Sequence, residues 1–501
     1  MTSYHALEQQ FARIDKIKDV IGLLNWDTET IMPDGAAEGR SEQLSTLEGM
    51  AHRLLVSAET GELLDKAEAA ADGLDDWQSA NLREMRRLYF HAAAIPEELV
   101  EANSKAVSRS LMAWRQARKN SDFAALLPYL KEVLDLQRRI GQIKGEALGL
   151  SPYDALLDTY EPGMRQAKID LLFTNLRAEL PSLIQEAQAR QASLPPTEAL
   201  TGPFPIDLQR GLGKKLMAAV GFDFERGRLD ISLHPFCGGA TDDVRITSRY
   251  DEERFISGLM GVLHETGHAL YEQGRPEAWR HQPVGAARGM ALHESQSLLI
   301  EMQACRSRAF VHYLAPLLRE TFQGDGAAWS ADNLYRDLTT VKPGFIRVDA
   351  DEVTYPAHVL LRYDLEKAMI NGDLRLEDLP GAFNEGMKTL LGLTVPNDGL
   401  GCLQDIHWPG GSWGYFPTYT LGAMAAAQLF DAASRAEPDV LPGIGRGDFG
   451  PLRSWLSAHV HRKGSLLEMD ELLIAATGRP LGAEAFQKHL RTRYLEDRHQ
   501  A

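Results

Sequence analysis

Residues 251–273 read DEERFISGLMGVLHETGHALYEQ, with His264-Glu265-Thr266-Gly267-His268 at their centre. Phe255, Ile256, Leu259, Met260, Val262 and Leu263 leave the turns before that motif almost no polar side. A helix that is apolar all round is buried, so 251–273 is expected to be a buried helix. On such a helix, residues i and i+4 leave the same face about 6 Å apart. That spacing suits two nitrogen ligands, His264 and His268, on one tetrahedral zinc ion. Glu265 follows the first histidine and can act as general base on a water at the metal. The competing reading is a core helix with satisfied histidines. It needs buried partners for three polar groups, which are costly to leave unpaired, and a metal supplies them.

Two histidines require a third protein ligand. One zinc class places a histidine six residues past the second; here that position is Gly274, which excludes it. A glutamate on a following helix remains. Glu294 lies 26 residues beyond His268, enough for a loop and a return. Its helix, opening at Ala291, has Leu298, Leu299, Met302 and Cys305 as its buried side. Glu301, two turns further on the same face, is the rival. Glu294 is preferred because His293, Ser295 and Gln296 surround it with polar groups of the kind that orient metal ligands.

Working outward, most of the chain has a helical period. Leu7, Phe11, Ile14, Ile17, Ile21 and Leu24 form one stripe; Phe123, Leu127, Leu130, Leu134 and Ile140 form another, interrupted only by Pro128. Ala, Leu, Glu, Gln and Arg dominate from about 36 to 192 and favour helix. A Pro-rich break covers 194–205. Short strands are expected at 228–233 and at 243–249, where Val244, Ile246 and Ser248 alternate with Asp243, Arg245, Thr247 and Arg249. A third is expected at 345–348, a helix at about 356–370, an irregular Gly-rich segment at 399–414 and a loop at 437–451.

The 501 residues are 44% hydrophobic and 25% charged, ordinary for a globular chain. A net charge of −17 disfavours binding to nucleic acid. No apolar run is long enough to span a bilayer, and the N-terminus lacks a secretory signal. Cys237, Cys305 and Cys402 are odd in number and far apart, which reads as reduced thiols in a cytoplasmic protein.

Six stretches, the motif among them, appear in a fixed order. They are His234-Pro235-Phe236, Asp243 to Thr247, His264 to His268, His293-Glu294-Ser295-Gln296, Ile346-Arg347-Val348-Asp349-Ala350-Asp351, and Gly401 to Trp408. With Trp26-Asp27 to Met32-Pro33 and the C-terminal helices, they make the chain resemble the carboxypeptidase Taq family of zinc metallocarboxypeptidases over essentially its full length. The resemblance implies a mainly α fold with a deep groove and a small sheet beside the zinc helix, similar to thimet-oligopeptidase-like peptidases. It implies one catalytic domain over 1–501, with 1–200 as one wall of the groove and 201–501 carrying the zinc site and C-terminal helices. It further implies a homodimer that removes single C-terminal residues with broad specificity, sparing Pro. By position, His264, His268 and Glu294 would hold one zinc ion per chain, for which cobalt can substitute, and Glu265 would be base and acid.

The chemistry needs more than the metal. An oxyanion needs donors, and His407 with Tyr415 or Tyr419 fits. The competing readings are a satisfied histidine beside Trp408 and a tyrosine packed in a Gly-rich loop. A free substrate carboxylate needs an arginine. Arg347 ranks first, although Asp349 and Asp351 beside it suit a structural ion pair; Arg245 and Arg249 are rivals. His234 lines or supports the groove. Gln404 and Asp405 would orient His407 or bind peptide backbone. Two alternatives to a carboxypeptidase acting on free-ended peptides remain: an oligopeptidase-type zinc endopeptidase, which needs no carboxylate anchor, and a catalytically silent zinc scaffold. Glu265 argues against the second, because a structural site has four protein ligands and no base.

Overall fold

The structure, a computed structural model, describes residues 2–496. Its first helix, Ser3–Thr30, buries Leu7, Phe11 and Ile14 as the stripe predicts, while Ile17, Ile21 and Leu24 are only half-buried. Those buried residues meet Leu55, Leu64 and Met85 from helices Ala37–Leu55, Ala58–Glu68 and Asp76–Ala93, and form a small core of their own. Helices Glu97–Asn120, Phe123–Leu148 and Gln166–Ser193 follow, and Pro128 does not break the second. Leu130, Leu134, Phe173 and Leu180 from these helices share the main core with Leu263, Leu292 and Leu421. The core therefore crosses the irregular Pro-rich stretch 194–205. The protein is mainly α-helical, with one small sheet.

That sheet has three strands, β1 (Gly227–Ile231), β2 (Phe236–Ala240) and β3 (Asp243–Ser248), in the order β1-β3-β2. β1 runs parallel and β2 antiparallel to β3, with Leu229 and Cys237 both paired to Ile246. Leu229, Val244 and Ile246 pack on Val262 and Ala269, so the sheet lies against the helix that carries the motif. The alternation over 243–249 thus predicts the burial of Val244, Ile246 and Ser248, while Thr247 on the other face is buried as well, bonded to the Ser232 hydroxyl.

Several expected elements differ. The third strand is not 345–348, which turns tightly at Arg347–Asp349. Gln404 fixes that turn: Arg347 N–H donates to its Oε1 at 2.8 Å, and its Nε2 donates to the Phe345 carbonyl at 2.9 Å. A side chain has taken the place of a partner strand. The true third strand contains Gly238 and Gly239, which mask it in the sequence because glycine is poor in strands. Gly239 adopts a left-handed φ of +99°, and a Cβ there would lie 2.2 Å from the Asp243 carbonyl oxygen; the first helix packs closely on the same strand, where a Cβ on Gly22 would lie 2.1 Å from the Gly239 carbonyl oxygen. The motif helix starts at Phe255, not 251, because the acidic residues before it form a turn in which Asp251 accepts the Glu253 N–H at 2.7 Å. Within the expected loop 437–451, Val440–Arg446 is helical and buries Val440 and Ile444. The three cysteines are unpaired.

A buried charge cluster ties the last helix, Glu484–Tyr494, to the segment behind the site. Glu352 accepts from His489 at 2.8 Å, Arg493 at 3.0 Å and Tyr494 at 2.9 Å, while Arg493 also donates to the Met302 and Gln303 carbonyls. Burial works against charge on Glu352, but His489 and Arg493 outweigh it and hold the carboxyl well below its usual range. Removing one member of a buried pair strands the other, so Glu352→Ala should cost about 3–5 kcal/mol in unfolding experiments at neutral pH. The sign with pH follows from the depressed value. The stabilisation is complete above the unfolded carboxyl's pKa, about 4.3, and is lost as pH falls toward the folded one. Urea titrations at pH 7 and pH 3 should show the gap between wild type and variant narrowing at the lower pH.

Candidate active site

The motif helix, Phe255–Gly274, buries Phe255, Leu259, Met260, Val262, Leu263 and Leu270. Its two histidine rings stand 5.0 Å apart on one face. The following helix, Met290–Leu298, returns against it and presents Glu294. Gly267 permits this approach, because a Cβ there would lie 2.3 Å from the Gln296 carbonyl oxygen. On the other side, a Cβ on Gly422 would meet the Glu294 side chain at 2.9 Å. Glu294 is therefore held between two glycine-lined helix surfaces, a role for Gly267 and Gly422 that helical periodicity does not disclose.

Glu294 Oε2 lies 3.7 Å from His264 Nε2 and 3.4 Å from His268 Nε2. One donor atom from each of the three residues lies within 4.8 Å of the others. Zinc bonds of about 2.0–2.2 Å in a tetrahedron put neighbouring donors about 3.3–3.6 Å apart. The three residues therefore fit one small dication, with two neutral nitrogens and one carboxylate. Without such an ion, the carboxylates Glu294, Glu301 and Glu265 overcome the burial penalty on His264 and raise it to about 10. Burial and neighbouring His293 lower His268 to about 4. Glu265 is buried beside this set, and burial raises its carboxyl to about 7.

Glu301 is placed differently from Glu294. The chain leaves Met290–Leu298 through a π-helical turn, Leu299–Ala304, which swings Glu301 behind the first histidine. Its Oε2 meets His264 Nδ1 at 2.9 Å, and Arg306 holds its other oxygen at 2.7 Å. Glu301 thus orients a histidine from the back instead of joining the front triangle.

A second cluster adjoins the first through Gly422, one turn beyond Tyr419 on helix Pro417–Ala436. His407 Nε2 lies 3.1 Å from Tyr419 Oη, while its buried Nδ1 has no hydrogen-bond partner. Burial and the charge of Arg347 push His407 down to about 4, so it is neutral at pH 7. Tyr415 packs against His407 and Tyr419, and burial pushes its hydroxyl up to about 12. Both tyrosines feel the charge of Glu294. Arg347 is almost fully buried. It donates from Nε to Asp405 at 2.9 Å and from a terminal nitrogen to Tyr355 Oη at 2.7 Å, and stands 5.0 Å from the Tyr419 ring. Arg362 grips the other Asp405 oxygen at 2.5 Å.

The remaining candidates lie elsewhere. Gln404 turns its amide toward backbone around Phe345, Arg347, Leu400 and Gly401, and so shapes the Arg347 turn. Arg245 pairs with Asp243 at 2.6 Å and lies over the Trp26 ring at 4.1 Å. Arg249 is exposed just after β3. His234 is exposed in the turn between β1 and β2, its carbonyl accepting from Ser232 at 2.6 Å. Residue reading missed Tyr355, Arg362, Glu272 and the hub role of Asp405, since their meaning lies in pairings across long sequence separations.

A buried helix bearing two histidines and a glutamate, closed by a second glutamate from the next helix, has the residue set of a metallopeptidase. The family description "Carboxypeptidase Taq (M32) metallopeptidase" matches residues 6–494, and the chain belongs to that family. It is 39% identical to thermostable carboxypeptidase 1 of Thermus thermophilus, covering 94% of each chain, and 33% identical to carboxypeptidase 1 of Bacillus subtilis, covering 98% of each. Among solved structures, it matches Trypanosoma cruzi metallocarboxypeptidase 1 with a TM-score of 0.97 at 42% identity, over 98% of this chain and 99% of that one. The M32 carboxypeptidase of Deinococcus radiodurans matches with a TM-score of 0.94 at 36% identity, over 98% of both. The protein is therefore an enzyme of the metallocarboxypeptidase class, with a metal cofactor and peptide substrates. Among the described residues, no helix is long and apolar enough to cross a membrane.

Proposed function

We propose that this enzyme is a zinc carboxypeptidase that releases single residues from free C-termini with broad specificity, sparing terminal Pro. The observation that carries the reading is the triangle of His264, His268 and Glu294 with Glu265 buried beside it. His264, His268 and Glu294 would hold the ion, for which cobalt can substitute. When bound, zinc would supply a Lewis acid for the scissile carbonyl and its attacking water. Glu265 takes the proton of that water and passes it to the leaving amine. Burial works against charge on Glu265 and so strengthens it as a base, while a neighbouring dication would act in the opposite direction. Tyr415 and Tyr419 stay protonated at neutral pH, so each can donate to the developing oxyanion, with neutral His407 steadying Tyr419.

Arg347 is our choice for the substrate carboxylate. Asp405 carries one negative charge between two buried guanidiniums, Arg347 and Arg362, which leaves one positive charge uncompensated. A peptide carboxylate arriving beside Tyr355 and Tyr419 would balance it. Arg245 is already neutralised by Asp243. The resemblance supports a homodimer with the whole chain as one catalytic domain, and the three free thiols suit the cytoplasm.

Products of a free-ended peptide, resolved by mass, should form a ladder shortened one residue at a time from the C-terminus. The amidated peptide should barely be cut. Arg347→Met should lower kcat/KM on free-ended peptides at least about tenfold and remove most of the preference over amide. The ratio of the two rates separates recognition from any general loss of stability. Equal cutting of both peptides by wild type would favour an endopeptidase. A preference erased only by Arg245→Ala or Arg249→Ala would move the anchor to the sheet.

A further inference from the structure

The two histidines of the motif are supported from behind in different ways. His264 Nδ1 meets the Glu301 carboxylate directly. His268 Nδ1 instead faces two atoms of His293: the backbone oxygen at 3.1 Å and the ring Nδ1 at 2.7 Å. His293 Nε2 then lies 2.9 Å from Glu272 Oε1, and the Glu272 carboxylate is 3.2 Å from Arg275. One set of tautomers satisfies every contact. With His268 Nε2 turned toward Glu294, its proton sits on Nδ1 and is shared between the carbonyl and the lone pair of His293 Nδ1. His293 carries its own proton on Nε2 and donates it to Glu272.

The reason for the longer arm is packing. Gly267 lets the backbone at Gln296 and Ser297 come into contact with the motif helix, and His293 is one turn earlier on that segment. Its carbonyl therefore fills the space behind His268, and a carboxylate can reach only through an intervening ring. We propose that His293 is a positioning residue that relays the charge of Glu272 to His268, locking its tautomer and raising its strength as a metal ligand. This rests on the reading that His264, His268 and Glu294 hold zinc. Glu272 and Arg275 line a separate cavity of about 210 Å³ that none of those three ligands borders, so the far end of the arm can be altered without touching the ligands.

The test compares wild type with His293→Phe, His293→Gln and Glu272→Gln. Zinc dissociation constants come from chelator competition, and kcat and KM are measured at saturating zinc. His293→Phe keeps the ring volume beside Tyr271 but removes the relay, and should weaken zinc binding at least about tenfold. Its kcat at saturating zinc should fall while KM stays within about twofold. Glutamine retains an acceptor and a donor, so His293→Gln should recover most of the affinity. Glu272→Gln keeps a hydrogen bond without the charge and should fall between wild type and His293→Phe. The proposal is overturned if His293→Phe binds zinc like wild type, or if His293→Gln is as weak as His293→Phe, since the ring would then serve packing alone. A wild-type enzyme with no affinity for zinc would overturn the metal reading itself, and this inference with it.

Discussion

Glu265→Gln is expected to keep one zinc ion per chain and lose about a thousandfold or more in kcat. General acid–base groups contribute about 10²–10⁴ to rate, and Glu265 is asked to serve in both proton transfers. Glutamine preserves shape and hydrogen bonding but cannot accept a proton. Glu265 is not one of the three donors that converge, so its loss leaves the ion's own contacts intact. Metal content and turnover must be measured on the same preparation. Loss of zinc together with activity would make Glu265 a ligand, and near-normal hydrolysis would remove it from the chemistry.

The second large effect separates the two glutamates of the Glu294 segment. Glu294→Ala deletes one of three protein ligands and should leave the purified enzyme without stoichiometric zinc and without activity. Glu301→Ala deletes the carboxylate behind His264 and strands Arg306, both on the side away from the triangle. Outer-shell changes of this kind cost about 10–100-fold in metal affinity, so zinc in excess should restore most of the rate. The preference for Glu294 as third ligand, read from sequence, would leave metal binding untouched in Glu301→Ala; the contact of Glu301 with His264 changes that expectation to a partial loss. Titrating both variants with zinc distinguishes the cases. If added zinc rescues Glu294→Ala and not Glu301→Ala, the two roles are reversed.

The fold class and the chemical character of the site were legible because they rest on local periodicity. An i, i+4 pair on an apolar helix states its own geometry, and the alternation in 243–249 states which face of β3 is buried. The Pro-rich break and the helix after Pro356 were legible for the same reason.

Tertiary structure decided what depends on residues distant in sequence. Glu294 and Glu301 share a helical face by count, and only the π-helical turn between them turns one toward the front of the histidines and the other behind. The third strand was hidden by Gly238 and Gly239, while Gly22 of the first helix, more than 200 residues earlier, is what lets that helix pack against the Gly239 carbonyl. Arg347 reads in the sequence as a carboxylate anchor, with an ion pair to Asp349 or Asp351 as the competing reading; its buried charge is shared instead with Asp405, and through it with Arg362. Periodicity tells which way a side chain points. What it meets there is set by how the elements pack, and a buried charge takes its value from that partner.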